Sequence, residues 1–347
     1  MGNKFYIDSD IKKAETLPAS FYKDEQVFKE LKEKIFLKSW HYIGDENSVA
    51  LPQSVYPLVL LDNYLTEPIL IVRNEDDKIN CFTNVCTHRG NLVALQPGKV
   101  KKLTCMYHGR RFSLNGKFEY MPEFEEAEKW GPLLFAGLNP EFQFSKVINK
   151  MKERIGFLPF EEFYLDSSSS KDFLVHAHWA FYCDNYLEGF HVPFVHEGLN
   201  KVLDYGSYKT EIYEHCNLQI GYTDDATEVF DLPEGHPDHG KNVAAYYYWV
   251  FPNMMFNFYP WGLSLNIVKP LDINRTKVSF ISYVWDPKKM NKGAGNDLEK
   301  VEREDEFIVE NVQKGVNSSF YKAGRFSPKR EKGVHHFHRL IASYLNN

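Results

Sequence analysis

Two short segments of this chain each carry one cysteine and one histidine close together. Cys86 is followed by His88, and sixteen residues later Cys105 is followed by His108. Two thiolates and two neutral imidazoles suit a 2Fe-2S cluster in which the histidines bind one iron, a ligand set that raises the reduction potential above that of a four-cysteine cluster. Gly90 lies in one predicted ligand loop, where a side chain would crowd a cluster. The spacing therefore predicts an electron-transferring iron–sulfur centre.

A structural zinc ion is the alternative for these four residues, since two cysteines and two histidines also complete a tetrahedral zinc site. Zinc modules usually pair cysteine with cysteine and histidine with histidine, whereas here each pair is mixed. The mixed pairs favour the iron–sulfur cluster.

A second group of acidic and histidine residues lies near the middle of the chain. Asp184, Glu188 and His191 follow one another at steps of four and three, so a continuous helix would place them on one stripe. Burying such groups is costly unless each is paired or bound to a metal. Pro193 should end or distort this helix and allow His196 to approach His191. The segment predicts two imidazoles available to one metal ion.

A carboxylate would complete the two-histidine, one-carboxylate set of non-haem Fe(II) oxygenases, which leaves coordination positions open for O2 and substrate. Asp305 is the predicted ligand, because it falls on an apolar helical stripe that Glu302, Glu304 and Glu306 are expected to miss. A buried aspartate paired with arginine or lysine is the alternative. The stripe consists of Leu298, Val301, Ile308, Val312 and Val316.

Both groups resemble the motifs of one family, the Rieske ring-hydroxylating oxygenase α-subunits. The similar segments are Cys86-Thr-His-Arg-Gly, Cys105-Met-Tyr-His-Gly, Glu188-x2-His-x4-His and Asp305-x4-Glu-x-Val-Gln. Met106 and Arg110 stand where proline and tryptophan are common in that family. The resemblance implies that Cys86, His88, Cys105 and His108 bind a Rieske 2Fe-2S cluster. It also implies that a mononuclear Fe(II) is held by His191, His196 and Asp305.

The resemblance further implies roles for two acidic residues that we predict as catalytic, Glu188 and Asp184. Glu188 would bridge His191 to a cluster histidine, expected to be His108, of a neighbouring subunit in a ring of three. Asp184 would help to fix the imidazole tautomers. Glutamate in this context is similar to choline, carnitine and betaine monooxygenases, whereas many aromatic dioxygenases have aspartate there.

The composition is that of a globular enzyme, and the sequence also indicates which partners to expect. The 347 residues are 43% hydrophobic and 25% charged, and a net charge of −6 argues against nucleic acid. The lack of a membrane-length apolar run or an apolar leader leads us to expect a cytoplasmic protein. No glycine-rich dinucleotide-binding turn follows a strand, so electrons should come from a separate NAD(P)H-dependent reductase of the flavin or ferredoxin type.

The strand and helix patterns predict an α+β fold class, with a small all-β module and a domain in which helices pack on an antiparallel sheet. The family resemblance implies that these are a Rieske module joined to a helix-grip domain. We expect a helical arm over 1–40 that packs on the catalytic domain, a Rieske domain over 41–148 and a catalytic iron domain over 149–347. Apolar residues at helical spacing predict a helix within 24–40. The aromatic segment 246–261 should be mostly core packing, and the histidines of 335–338 a surface or interface cluster.

The predicted function is that of a terminal oxygenase. It would use O2 and electrons from the reductase to hydroxylate or oxidatively demethylate a small quaternary amine or aromatic compound. The alternative is a Rieske-type electron carrier or ligand-binding relative without oxygenase activity. Iron content separates the two, because a carrier would hold about two irons per chain and an oxygenase about three.

Overall fold

The computed structural model describes residues 5–86, 89–107, 111–115, 128–290, 292–296 and 298–346. The chain forms two compact units, one of residues 36–145 and one that combines residues 1–35 with 146–347. The boundaries between these units, at 35/36 and 145/146, lie a few residues before the predicted domain boundaries at 40/41 and 148/149.

The unit of residues 36–145 is built from short antiparallel strands. Among its described residues, a four-stranded sheet has the order β4-β3-β2-β5, a three-stranded sheet has the order β1-β9-β8, and β6 pairs with β7. Apolar residues such as Leu70, Val72 and Phe82 form a core that also contains Cys86 and Cys105. The strands are β1 Trp40–Asp45, β2 Ser54–Leu60, β3 Glu67–Arg73, β4 Ile79–Thr83, β5 Gly98–Lys99, β6 Leu103–Thr104, β7 Arg111–Phe112, β8 Glu128–Trp130 and β9 Leu133–Gly137.

The second unit contains a seven-stranded antiparallel sheet, in the order β10-β16-β15-β14-β13-β12-β11 among the described strands. Every residue of the interior strand β13 is buried, so both faces of the sheet are covered at this point. The prediction of an antiparallel sheet packed by helices is confirmed. The strands are β10 Tyr164–Val175, β11 Lys209–Ile212, β12 Cys216–Tyr222, β13 Val243–Val250, β14 Met254–Tyr259, β15 Gly262–Asp272 and β16 Arg275–Val284.

Eight α-helices are present in the described part of the chain. None of them is both long enough and apolar enough to cross a membrane. They are α1 Ala19–Lys23, α2 Glu25–Lys34, α3 Phe144–Ile155, α4 Trp179–Tyr186, α5 Val192–Val195, α6 Glu197–Val202, α7 Leu298–Val316 and α8 Lys332–Asn346.

The N-terminal helix predicted within 24–40 is α2. Asp24 caps it by accepting hydrogen bonds from the backbone N–H groups of Gln26 and Val27. Its apolar face buries Val27, Phe28 and Leu31. The apolar spacing predicted this helix correctly, but the helix ends at Lys34, several residues before the end of the predicted segment. The last residues of the predicted stretch instead form a 3-10 turn and the start of β1.

The predicted helix through Asp184, Glu188 and His191 is wrong, because α4 ends at Tyr186. The Glu188 carboxylate accepts hydrogen bonds from the backbone N–H groups of Phe190 and His191, which replaces helical bonding with a local turn. Pro193 does not end a helix but lies in the first turn of α5, where its missing N–H costs nothing.

Candidate active site

Cys86 and Cys105, the described half of the predicted cluster ligands, are each 1% exposed. The Cys86 N–H donates to the Asn91 carbonyl at 2.8 Å, and the Gly90 N–H donates to the Cys86 carbonyl at 3.0 Å. Gly90 has φ +72°, which a residue with a side chain rarely adopts. The Asn91 side-chain nitrogen lies 3.5 Å from Cys105 Sγ, as expected for a donor to a cluster thiolate. His88 and His108 lie outside the described residues.

The three predicted iron ligands come together although Asp305 is distant in sequence. One donor atom from each of His191, His196 and Asp305 lies within 4.8 Å of the others. Asp305 Oδ1 is 2.9 Å from His196 Nε2 and 3.5 Å from His191 Nε2. His196 is 1% exposed, while the His191 and Asp305 side chains retain 16% and 15%. The set could hold a divalent ion that remains open on one side.

The outer nitrogen of each imidazole contacts a carboxylate. His191 Nδ1 is 2.8 Å from Glu188 Oε1, and His196 Nδ1 is 2.7 Å from Glu304 Oε2. Such a carboxylate accepts the Nδ1 proton, which directs the Nε2 lone pair toward a metal and raises its basicity. The ligand set therefore fits a metal in the orientation of its rings as well as in its donor types.

Asn185 is a site residue that the sequence reasoning missed. Its side-chain nitrogen donates to Asp305 Oδ1 at 2.6 Å and thereby orients the carboxylate. An asparagine in the last turn of a helix gives no periodic signal, since its partner lies on α7. Only the packing of α4 against α7 shows the contact.

The buried face of α7 differs from the predicted apolar stripe. Val312 is 41% exposed, whereas Glu302 is 1% exposed, so the expectation that Glu302 falls off the buried face is wrong. Glu304 was also expected to be remote from the site, yet it contacts His196. The residues classed as buried on this helix are Glu302, Val309, Gln313 and Val316.

The electrostatics of the site favour a cation. Burial lowers the pKa of His196, but hydrogen bonds and charge interactions with Asp305 and Glu304 outweigh this effect and raise its pKa above the ordinary value. The negative potential that attracts a proton here would equally attract a metal ion.

A cavity opens onto the ligand set. The rings of Tyr247 and Tyr259 meet in its wall at a centroid distance of 5.9 Å and an interplanar angle of 80°. No lysine or arginine side chain is among its lining residues in the described part of the chain. Tyrosines are its most frequent aromatic residues, namely Tyr182, Tyr186, Tyr208, Tyr247 and Tyr259.

Asp184, the other predicted catalytic acid, points elsewhere. It accepts a hydrogen bond from His338 Nε2 at 2.8 Å and one from the Tyr22 hydroxyl at 3.1 Å. The Leu17 N–H donates to His338 Nδ1 at 3.0 Å, so both ring nitrogens are used within this network. His338 is 1% exposed and His335 is 8% exposed, which corrects the expected surface location of the histidines in 335–338.

A sheet with helices that present two histidines and one carboxylate to a cavity, in a chain that also contains a β module with two buried cysteines, defines a Rieske-type non-haem iron oxygenase. Residues 157–347 match the family model for the ring-hydroxylating alpha subunit catalytic domain, and residues 39–131 match that for the Rieske [2Fe-2S] domain. The chain belongs to the ring-hydroxylating alpha subunit family.

Similar curated proteins act as monooxygenases. Chloroplastic choline monooxygenase of Arabidopsis thaliana is 28% identical over 95% of this chain and 83% of its own length. The carnitine monooxygenase oxygenase subunit of Escherichia coli K12 is 27% identical over 96% of this chain and 94% of its own.

Solved structures share the fold. The quaternary ammonium Rieske monooxygenase CntA with L-carnitine has a TM-score of 0.74 at 23% identity and covers 99% of both chains. Naphthalene 1,2-dioxygenase from Rhodococcus sp. with indole has a TM-score of 0.70 at 16% identity, over 95% of this chain and 94% of its own. The protein is thus an oxygenase with a Rieske 2Fe-2S cluster and a mononuclear iron, and it takes electrons from a reductase.

Proposed function

We propose that this oxygenase hydroxylates or oxidatively demethylates a small quaternary ammonium compound, with electrons from an external NAD(P)H-dependent reductase of the flavin or ferredoxin type. The observation that carries the substrate class is the cavity beside His191, His196 and Asp305, which is lined by tyrosine rings and carboxylates and by no described lysine or arginine. A permanent cation is attracted to aromatic faces, and this attraction grows when both are shielded from water.

The same proposal assigns the metal ligands. His191, His196 and Asp305 hold the mononuclear iron, while Cys86, His88, Cys105 and His108 hold the cluster. When bound, the iron would supply the activation of dioxygen, and the cluster would supply the electron transfer that this requires.

The protein's own residues position the ligands. Glu188 and Glu304 orient the two imidazoles through their outer nitrogens, and Asn185 orients the third ligand, Asp305. Tyr186 is held in the cavity wall by its hydroxyl, which donates to Asn257 at 2.9 Å. These contacts hold the tyrosine ring and the ligand side chains in place before substrate enters. Substrate binding therefore costs little further side-chain conformational entropy.

Glu188 has a second role in the proposal, as the bridge to the cluster histidine His108 of a neighbouring subunit in a trimer. Its carboxylate already contacts His191, and Phe190 and Phe194 beside it are 43% and 82% exposed. Apolar side chains exposed next to a half-buried carboxylate are typical of a surface that another subunit covers. Sedimentation of the purified protein should give three times the mass of one 40.6 kDa chain, and a monomer would contradict the bridge.

The substrate class is tested by turnover with a surrogate reductase and NADH. We expect O2 consumption with stoichiometric oxidised product from choline, carnitine or glycine betaine, and none from benzoate. Peroxide must be measured in parallel, because uncoupled reduction of O2 also consumes NADH. Coupled product from the aromatic acid alone would refute the proposal.

A further inference from the structure

Glu302 is a carboxylate that the iron site does not use. It lies on α7 one turn before Asp305, lines the cavity, and is 1% exposed. Oε2 accepts a hydrogen bond from the Tyr182 hydroxyl, whereas Oε1 has no hydrogen-bond partner among the described residues. A buried polar atom left without a partner destabilises the folded protein.

The described residues around Glu302 do not compensate its charge with an ion pair. Arg303 follows it in sequence, but the Arg303 side chain is 60% exposed and pairs with Glu306 at 2.9 Å. Burial, with a further contribution from nearby Asp305, raises the pKa of Glu302 well above its usual range, whereas a cation bound beside it would favour the ionised carboxylate. An apolar residue would fill this position at lower cost, unless a cation binds there.

The other carboxylates of the cavity already have partners. Asp305 contacts both imidazoles and Asn185, and one Glu188 oxygen contacts His191 while the other accepts backbone N–H groups. Among the described lining acids, Glu302 is therefore the one with a buried oxygen that has no hydrogen-bond partner.

We propose that Glu302 is the specificity-determining counter-ion of the substrate's quaternary ammonium group, and that the preferred substrate carries this cation without a carboxylate, as choline does. This inference rests on the proposed function and narrows it from quaternary amines in general to cationic rather than zwitterionic ones.

The preference against a zwitterion follows from the charges around the cavity. A substrate carboxylate would meet the Glu302, Glu188 and Asp305 carboxylates, and no described lysine or arginine lines the cavity to pair with it. Lys171 lines a neighbouring cavity, but it already forms an ion pair with Glu299. Discrimination then arises from repulsion of the wrong ligand as well as attraction of the right one.

The test is anaerobic calorimetric binding to the purified holoenzyme, with choline, its neutral isostere 3,3-dimethyl-1-butanol, and carnitine as probes. We expect the wild-type protein to bind choline about tenfold or more tighter than either other probe, which corresponds to about 1.4 kcal/mol. Glu302→Gln keeps the shape and the contact with Tyr182. It should weaken choline binding by about tenfold and leave binding of the isostere unchanged, since only the charge is removed.

Glu306→Gln is the matched control, because Glu306 lies on the same helix and pairs with Arg303. It should bind all three probes as the wild type does. Glu302→Asp retains the charge and should recover part of the preference for choline, which a merely structural role would not predict.

Two results would overturn the inference: unchanged choline binding by folded Glu302→Gln, or equal wild-type affinity for carnitine and choline. The binding measurement distinguishes an error in the role of Glu302 from an error in the proposed reaction. Glu302-dependent choline binding without coupled oxidation of any quaternary amine would refute the reaction alone. Coupled oxidation together with unchanged binding by Glu302→Gln would refute the counter-ion alone.

Discussion

Asp238 and Glu302 are both 1% exposed acids in the same compact unit, yet their surroundings differ. Asp238 forms ion pairs with Arg154 and with Lys241, the latter at 2.8 Å, and accepts a hydrogen bond from the Tyr246 hydroxyl at 3.2 Å. Among the described residues, Glu302 has only the Tyr182 hydroxyl as a hydrogen-bond partner. The fold thus provides cationic partners for Asp238. In the described part of the chain it provides none for Glu302, which agrees with the proposal that a cationic ligand binds there.

The two pKa values move in opposite directions for this reason. Burial raises the pKa of Asp238, but hydrogen bonds and charge interactions with Lys241 and Arg154 outweigh it and leave the pKa below the ordinary value. At Glu302 burial dominates, and its pKa is raised. A buried acid that is paired with cationic side chains stabilises the fold. A buried acid that lines a cavity and has no such partner indicates a ligand-binding position.

The largest effect is expected at Asp305, the acid of the same helix that lies against the imidazoles. Asp305→Ala should remove the mononuclear iron and lower turnover by about 100-fold or more, because two imidazoles alone bind Fe(II) weakly. Iron analysis should fall from about three to about two per chain, while the visible absorption of the Rieske cluster is retained. Three irons in this variant would show that Asp305 is not a ligand.

Asp238→Asn should lower the free energy of unfolding by about 1.5–3 kcal/mol, because the Arg154 guanidinium loses one of its two described carboxylate partners and keeps the other, Glu211. Urea unfolding measures this change, and turnover per folded molecule should stay the same. The pKa of Asp238 is lowered in the folded state, so its contribution is present above about pH 3.9 and is lost as the pH falls through the folded value. The difference between wild type and variant should therefore shrink in acid.

Lys241→Met provides the control for Asp238→Asn, since the Lys241 side chain is 48% exposed. It should cost no more than about 1 kcal/mol. A cost as large as that of Asp238→Asn would mean that Arg154 is not the main partner.

A smaller effect is expected at Glu304, which contacts the outer nitrogen of His196. Glu304→Ala should weaken iron binding by about 10–100-fold, as is usual when a carboxylate behind a ligand histidine is removed. Competition with a chelator measures this affinity. Glu306→Ala, two residues along the helix and paired with Arg303, should leave it unchanged.

The smallest effect on stability is expected for Glu302→Gln, the same acid-to-amide change as Asp238→Asn. The free energy of unfolding should change by less than about 1 kcal/mol, because no ion pair is lost and the amide oxygen still accepts from Tyr182. Equal destabilisation by the two changes in urea unfolding would remove the distinction between the two acids.

Local chemistry in the sequence determined a large part of this protein. The cluster motif and the pair His191 and His196 could be predicted because their ligands lie within a few residues of one another, where loop spacing alone limits the geometry. The helix α2 and the antiparallel sheet also followed from apolar periodicity, which reports burial directly.

Tertiary structure decided the partners of the acidic residues. Apolar periodicity cannot detect a polar residue that is buried against a cavity, so Glu302 was placed on the wrong face and Glu304 away from His196. Asp184 and Glu188 are four residues apart, as on one face of a helix. The helix ends before Glu188, because the Glu188 carboxylate accepts hydrogen bonds from the backbone of the residues that follow it. Asp184 therefore does not join the iron site and contacts His338 instead. The imidazole partners of Asp184 and Glu304 lie on segments more than 100 residues away, and no local pattern carries that information.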